Sequence, residues 1–574
     1  MSNYYLASFQ WIGHIYKMLG VADTSKHWEK FFIGLILLVS AWKIIPLIDT
    51  YYLYSFEADS QSTINISLSF VNAIQNGNLR LLPEIAIYPP YFDAQFLIYA
   101  ITSLLIRTAQ KFHLLNLEFS HIEQGFMIFT IRYTNALFNI LSSILLFKIV
   151  KLISLSNWLS SLITIIFVFN YQLPEMDLMR VDHVIMPFFL ILSYATFALI
   201  KEPKSKRLSL TIGISLAFLI NIKFNTLIFA YIPIATIALL IWQKRYIVSN
   251  IWLLLISFFA TSLILIVRYL IYYRSLPSVL ADRATELKLW YAVLYKVPYF
   301  YYNWDYFFKY GSIFLVLFII STITIGFSLF RQFSVAGFVI LTTLIIFSAL
   351  GIVSPKLDRW GIHFIPVYLW IIAMGATFWR WKLKSLPDAK LLKPFYYLML
   401  AITLLQPSLL LFENHQLIVQ KAEQRAVSIK ITRDEPRKWF MKNAPPGTRV
   451  AYYSPHSWAN PPIFDLPLDF SSKIFEYPYL ETEEMAAFMP PTLNQLEASV
   501  DVVMLENFHK SGHVSGLEEV NLIKQADAWS AFYNELDSKY KRIDFKSGYD
   551  NYGVKEVSIY VISPKLERSL EVEQ

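Results

Sequence analysis

Four short runs of this sequence gather carboxylates, cations and imidazole in a chain that otherwise avoids charge. They are Phe56-Glu57-Ala58-Asp59-Ser60, Glu175-Met176-Asp177-Leu178-Met179-Arg180-Val181-Asp182-His183, Lys223 between Asn221 and Asn225, and Asp358-Arg359-Trp360-Gly361-Ile362-His363 ahead of Pro366. Carboxylates such as Glu57 and Asp59 can accept a proton from an attacking hydroxyl. Three roles fit Asp182: holding a cation, accepting a proton, or pairing with Arg180. The Lys223 ammonium and the Arg359 guanidinium suit phosphate oxygens, the guanidinium in a two-pronged contact. Each cluster also has a plain structural reading. Asp59 can cap a helix, an Arg180–Asp182 pair can fix a helix end, Lys223 can snorkel, and His363 can be a packed, hydrogen-bonded histidine. Arg132 and Arg268 are weaker candidates for phosphate contact.

The elements that must position these groups are apolar. Of the 574 residues, 56% are hydrophobic and 16% charged, against about 25% charged in an ordinary soluble chain. Apolar runs occur near 31–48, 125–147, 155–173, 181–200, 208–222, 224–242, 250–272, 311–330, 335–353, 360–379 and 393–412. Each is close to the roughly 20 residues that a hydrocarbon core requires. The pattern predicts a polytopic α-helical membrane protein with roughly 11–13 spanning helices over residues 1–412. The first run follows a leader too long for a cleavable signal and is expected to be retained.

Basic residues set the orientation. With a cytoplasmic N-terminus, the inner connections carry Lys148 and Lys151, then Lys201, Lys204, Lys206 and Arg207, then Lys244 and Arg245, Arg331, and Arg380, Lys382, Lys384, Lys390 and Lys393. That excess chooses one topology. It requires the short apolar segment 94–106 to be an interfacial or re-entrant helix, so that 49–124 forms a first outer loop with juxtamembrane helices. All four charged clusters then face the outside. The aromatic, charged connection 274–310, with Glu286, Lys288 and Trp290, is placed to act as a lid.

Several classes drop out. The net charge of +8 arises in the short connections, where it orients a membrane protein, so no nucleic-acid partner is expected. With no cysteine there is no disulfide, thiolate site or thiol nucleophile. Neither an HExxH zinc motif nor a GxxxxGK[ST] phosphate loop is present, so no nucleotide is expected. A polytopic lipid or saccharide transporter or flippase is the competing class. It predicts midplane charges, broken helices and internal repeats, whereas the ionisable clusters lie toward one face.

After residue 412 the composition becomes that of a soluble protein. Residues 413–574 alternate helix and strand signals: a helix near 434–443, a strand at Arg449–Tyr453, a strand at Val500–Met504, a helix near 525–538 and a strand at Ser558–Ile562. That predicts a C-terminal soluble α/β domain. His456, Trp458 and Asn460 stand in a Pro-rich segment, read as an ordered surface loop or a saccharide contact.

Taken in order, these features resemble the GT-C membrane glycosyltransferases, in the bacterial branch related to protein O-mannosyltransferases and lipid A aminoarabinose transferases. The likeness rests on Glu57-Ala58-Asp59, Asn76-Gly77-Asn78, Tyr88-Pro89-Pro90-Tyr91, Arg180-Val181-Asp182, and the run from Gly213-Ile214-Ser215-Leu216-Ala217 to Lys223. It continues through Asp358-Arg359 to Pro366 and the tail from Trp439 through Asn443-Ala444-Pro445-Pro446-Gly447. The acidic pair here is Glu-x-Asp, not adjacent Asp-Glu, so either Glu57 or Asp59 is the working carboxylate. No Glu-Lys precedes the Pro-Pro, and Glu84 is the nearest acid. The resemblance implies an inverting sugar transfer from a polyprenyl-phosphate donor to a glycan, lipid or protein acceptor among membrane lipids. Its implied site is outer-facing, in a bacterial inner membrane, with the C-terminal domain on the periplasmic side. Asp59, Glu57 and Asp182 would be catalytic. Lys223, Arg359, Arg180 and His363 would hold the donor phosphate, and Asp59 with Asp182 would hold a divalent cation (Mg or Mn).

Overall fold

The computed structural model describes residues 26–49, 120–170, 182–222, 224–273, 312–331, 334–350, 365–385, 430–445, 447–454, 472–476, 490–506, 523–551 and 554–567, with isolated residues at 108 and between 409 and 427. They fall into two compact units: the first takes the first helix up to Ile48 and the chain from Thr130 to Leu417, and the second takes Asp49, the described residues of 106–129 and the chain from Ile418 onward.

In the first unit the apolar runs are helices: α1 Lys26–Asp49, α2 Ser120–Ser154, α3 Asn157–Asn170, α4 Asp182–Lys201 and α5 Lys206–Ile222. A 3₁₀ segment, Phe224–Ala230, leads into α6 Tyr231–Trp242, followed by α7 Ser249–Tyr273, α8 Ser312–Arg331, α9 Val335–Leu350 and α10 Ile365–Ser385. α2 is longer than its apolar run, at 35 residues. α10 starts five residues later than the run at 360–379, with Pro366 in its first turn, where a missing N–H costs nothing. The run at 393–412 lies outside the described residues, apart from isolated positions. Two stretches, Tyr133–Ser154 and Val184–Lys201, are long and apolar enough to cross a membrane among the residues searched. Five further apolar helices are shorter.

Packing neighbours run α7–α5–α4–α6–α9–α10–α8, with α3 against α10. Aromatic side chains lock the middle: Phe189 lies 4.3 Å from Phe229 and 5.7 Å from Trp370, whose ring meets Phe197 edge-on at 5.3 Å. Polar and apolar residues are distributed as a bilayer favours. Ser142, Ser143, Ser160, Thr164, Ser193, Thr196 and Thr236 are buried, while Trp252, Ile256, Phe259 and Leu263 on α7 and Ile319, Ile323, Phe327 and Phe330 on α8 are exposed. Buried hydroxyls bond back to their own helix, as Ser193 does to Phe189 O at 2.8 Å and Thr196 to Leu192 O at 2.7 Å. Small polar residues between helices with large apolar ones outward are what close packing in lipid requires.

The second unit is a three-layer α/β arrangement. A single turn of π-helix, Lys430–Asp434, runs into α11 Glu435–Asn443, and then come β1 Val450–Ser454, β2 Ser472–Glu476, α12 Leu493–Ser499, β3 Val502–Glu506, α13 Ile523–Lys539, β4 Lys541–Asn551 and β5 Val554–Val561. The sheet order is β2-β1-β3-β5-β4. β1 pairs in parallel with β2 and β3, whereas β5 is antiparallel to β3 and β4. Alternate residues feed two cores. Ala451, Val503, Leu505 and Tyr560 pack on Trp529, Phe532 and Leu536 of α13, while Val450, Val502, Met504, Ile559 and Val561 pack with Phe440 of α11. Covering both faces explains why β3 and the last residues of β5, from Ile559 to Val561, read as apolar runs.

Candidate active site

The positions of the helix ends organise the candidate site. Asp182 is the first residue of α4, which spans 20 residues, about 30 Å of axial rise. At the far end of α4 the basic connections meet. Arg245 Nη2 donates to Ile200 O at 2.8 Å, Asn250 Nδ2 to Lys204 O at 3.2 Å, and Ser209 and Tyr246 share a hydroxyl bond of 2.8 Å. Lys201, Lys204, Lys206, Arg207, Lys244 and Arg245 therefore sit at one end of the bundle and Asp182 at the other.

α5 runs back toward Asp182. Phe188, one turn into α4, stacks at 4.7 Å on Phe218, one turn from the end of α5. The parallel course of α5 and α7 is fixed by Ser257 of α7, which donates to Leu210 O at 3.4 Å, and by Asn221, which donates to Ser262 Oγ at 3.1 Å. α10 begins at Ile365 at the same end: Phe347 near the end of α9 lies 5.6 Å from Phe229, α8 and α9 join at the other end, and α10 runs parallel to α8, Phe318 meeting Tyr368 and Trp379 donating to Thr324. Asp182, the end of α5 and the start of α10 thus share one end of the bundle.

The step from α5 to the 3₁₀ turn is pinned on both sides. α5 stops at Ile222, and the 3₁₀ turn begins at Phe224. Before it, Asn221 Nδ2 also donates to Ala217 O at 2.8 Å. After it, buried Thr226 donates to Leu219 O at 2.5 Å, satisfying one of the carbonyls that a helix end leaves open. The glycine motif upstream has a packing role. A Cβ on Gly213 would come within 2.0 Å of Ser257 Oγ and 2.4 Å of Leu254 O, so α5 rests on α7 at a contact only glycine permits. Gly213, buried Ala217 and Asn221 follow one another at four-residue spacing along that face, and together they hold the end of α5 against α7.

Of the residues expected to do chemistry, Glu57, Asp59, Arg180, Lys223, Arg359 and His363 lie outside the described residues, and Asp182 is described only as the start of α4. The segments 94–106, 274–310 and His456–Asn460 also lie outside. Among the residues searched, no three His, Asp or Glu side chains stand close enough to hold a metal ion.

One charged residue escapes a reading by clusters. Lys43 lies inside α1, is 6% exposed, and donates to Val168 O near the end of α3. Its signal was present, since an ionisable residue within an apolar span is rarely ornamental. In the sequence it stands alone inside the apolar run 31–48, apart from the four clusters.

In the second unit the described charges neutralise one another. Arg542 binds Asp537, Asp544 and Glu556 at 3.2, 2.5 and 2.9 Å, and Tyr560 donates to Asp537 at 2.6 Å. Burial pushes the Asp544 carboxyl up, but Ser558 and Arg542 bind its charged form and bring it below the usual range overall. This network ties α13 to the outer strands. No catalytic constellation stands among its members.

No family model matches the sequence, and no curated protein does. The fold does find relatives. The chain overlays ArnT from Cupriavidus metallidurans bound to undecaprenyl phosphate with a TM-score of 0.50 at 10% identity, covering 95% of this chain and 99% of that one. Apo ArnT from the same organism gives 0.48 at 10% identity, covering 94% and 98%. An Archaeoglobus fulgidus oligosaccharyltransferase in complex with Zn and sulfate gives 0.46 at 9% identity, covering 85% and 69%. The GT-C resemblance read from the order of the motifs is met by the fold.

Proposed function

We propose that this chain is an inverting glycosyltransferase of the bacterial inner membrane, moving a sugar from a polyprenyl-phosphate donor to an acceptor on the outer face. The observation that carries the reading is a convergence. Asp182, the pinned step from α5 to the 3₁₀ turn and the start of α10 lie at one end of a bundle whose fold is similar to that of ArnT over nearly its whole length. The basic connections gather at the opposite end, which supports reading the Asp182 end as the outer one under the positive-inside rule.

In this reading the acceptor hydroxyl attacks the anomeric carbon from the face opposite the phosphate. Its proton passes to Asp59 or Glu57, the bond from the anomeric carbon to the phosphate oxygen breaks, and polyprenyl phosphate leaves as the anion. Lys223 and Arg359, with Arg180 and His363 beside them, stabilise the charge that grows on the leaving oxygen. Asp182 orients the acceptor or, with Asp59, a divalent cation. The phosphate is already a leaving group, so no nucleotide takes part. Residues 413–574 form a periplasmic domain that positions the acceptor, which is a lipid, glycan or protein.

The test is transfer of radiolabelled sugar from a polyprenyl-phosphate donor by the purified chain, with Asp59→Asn and Glu57→Gln beside the wild type. One of the two carboxylate variants should lose at least about 100-fold in rate, with insertion and abundance unchanged. Full activity in both would exclude these residues as the base.

A further inference from the structure

Lys43 is a fully enclosed ammonium, with Nζ donating to the carbonyl oxygen of Val168, 125 positions away in sequence. Val168 is one of the last residues of α3, which ends at Asn170. The amide that would have bonded its carbonyl lies beyond the helix, so Lys43 supplies a donor that α3 itself lacks. It also brings positive charge to the negative end of the α3 dipole. At 6% exposure the side chain does not reach up to the interface, as a snorkelling lysine would.

The surroundings are polar on both helices. Ser40 precedes Lys43 by one turn on α1, and Ser161 and Thr164 precede Val168 on the same face of α3. All three are at least 98% buried, with hydroxyls lacking a hydrogen-bond partner among the described residues. An apolar side chain would fill this seam at lower cost than an ammonium. Stability alone does not account for it.

We propose that Lys43 is a positioning residue for the transfer reaction. It clamps the outer ends of α1 and α3 together. The chain beyond α1 carries Glu57 and Asp59, and the chain beyond α3 carries Arg180 and Asp182, so the clamp fixes the starting points of both carboxylate-bearing segments. This inference rests on the glycosyltransferase reading for its kinetic consequence, but the clamp itself does not.

The test uses the full chain in lipid nanodiscs, with Lys43→Met removing the charge at constant length and Lys43→Arg retaining charge and donors. Hydrogen exchange of the last-turn amides of α3 should rise about tenfold in Lys43→Met and stay at the wild-type rate in Lys43→Arg. In the transfer assay, Lys43→Met should lower kcat roughly 10- to 100-fold, as a misplacement of about 1 Å does, with KM for the lipid donor within about twofold. Lys43→Arg should restore most of kcat. Unchanged exchange and unchanged kcat in Lys43→Met overturn the proposal. If Lys43→Met does not fold, Lys43→Arg decides: a folded arginine variant without activity overturns it, and an active one supports it. Absence of transfer by the wild type refutes the glycosyltransferase reading alone, because the exchange measurement still decides the clamp.

Discussion

Replacing Gly213 with alanine should loosen the crossing of α5 on α7 and displace the Lys223 junction. A Cβ there meets Ser257 Oγ at 2.0 Å and the Leu254 carbonyl oxygen at 2.4 Å. The serine hydroxyl can rotate away, but the carbonyl is backbone and cannot. The helices must part by roughly 1 Å before ordinary contact distances return. Overpacking of this kind costs about 1–3 kcal/mol, and loss of the Asn221 to Ser262 bond adds about 0.6 kcal/mol, the measured mean for polar contacts between membrane helices. Alanine gains back up to about 1 kcal/mol of helix propensity. The net expectation is about 1–3 kcal/mol of destabilisation, read as a lower midpoint in tryptophan-monitored thermal unfolding in detergent. Gly34 and Gly326 supply the control, because a Cβ at either meets nothing within 4 Å. Gly34→Ala and Gly326→Ala should leave the midpoint unchanged or raise it. If Gly213→Ala melts with these controls, the close crossing is not what positions α5.

Three further outcomes follow from the second unit and the site. Asp501 accepts from the Arg449 backbone N–H at 2.8 Å and from its guanidinium at 3.1 and 3.2 Å. Burial pushes this carboxyl up, yet the Arg449 bonds bring it below the ordinary value overall. Its stabilising contribution is therefore full above about pH 4 and lost as pH falls through the depressed folded value. Asp501→Asn should cost about 1 kcal/mol at neutral pH, discounted for solvent exposure. Equal urea midpoints at pH 7, or a gap that does not narrow as the pH is lowered into the acid range, would contradict the pairing. Thr492→Ala removes a capping box in which Gln495 answers the threonine. It should cost about 1 kcal/mol, and an unchanged chemical-denaturation midpoint would count against it. Lys223→Met should raise KM for a polyprenyl-phosphate donor as well as lowering kcat, and a variant with wild-type constants would remove Lys223 from the phosphate site.

The helices were legible because a hydrocarbon core demands long apolar runs, and the run boundaries fell within a few residues of the ends of α4, α5 and α7. The 3₁₀ segment after Lys223 was not, since its composition matches that of the helix it enters. In the second unit, β3 and β5 could be read because the central strands are apolar on both faces. β2 (Ser-Lys-Ile-Phe-Glu) and β4 (Lys-Arg-Ile-Asp-Phe-Lys-Ser-Gly-Tyr-Asp-Asn) are the edge strands of the sheet. Edges carry charge to discourage further pairing, so their composition resembles loops. α12 buries only Leu493 and Leu496, and its sole marker was Thr492-x-x-Gln495. The candidate site residues were named from the order of weak motifs, and all but Asp182 lie outside the described residues, so their geometry is not described. Gly213 carried a signal that was read as family likeness, whereas its physical meaning is a close approach to a neighbouring backbone. Lys43 shows the converse error. Its long apolar run hid a charge that is buried between α1 and α3.

The central claim is that a lipid phosphate binds where Asp182, the Lys223 junction and the start of α10 come together. A structure of the full chain with undecaprenyl phosphate bound tests it most directly. The account predicts the phosphorus within about 4 Å of the Lys223 ammonium and the Arg359 guanidinium, at the Asp182 end of the bundle. A phosphate at the opposite end, among Lys201, Lys204 and Arg245, would contradict it.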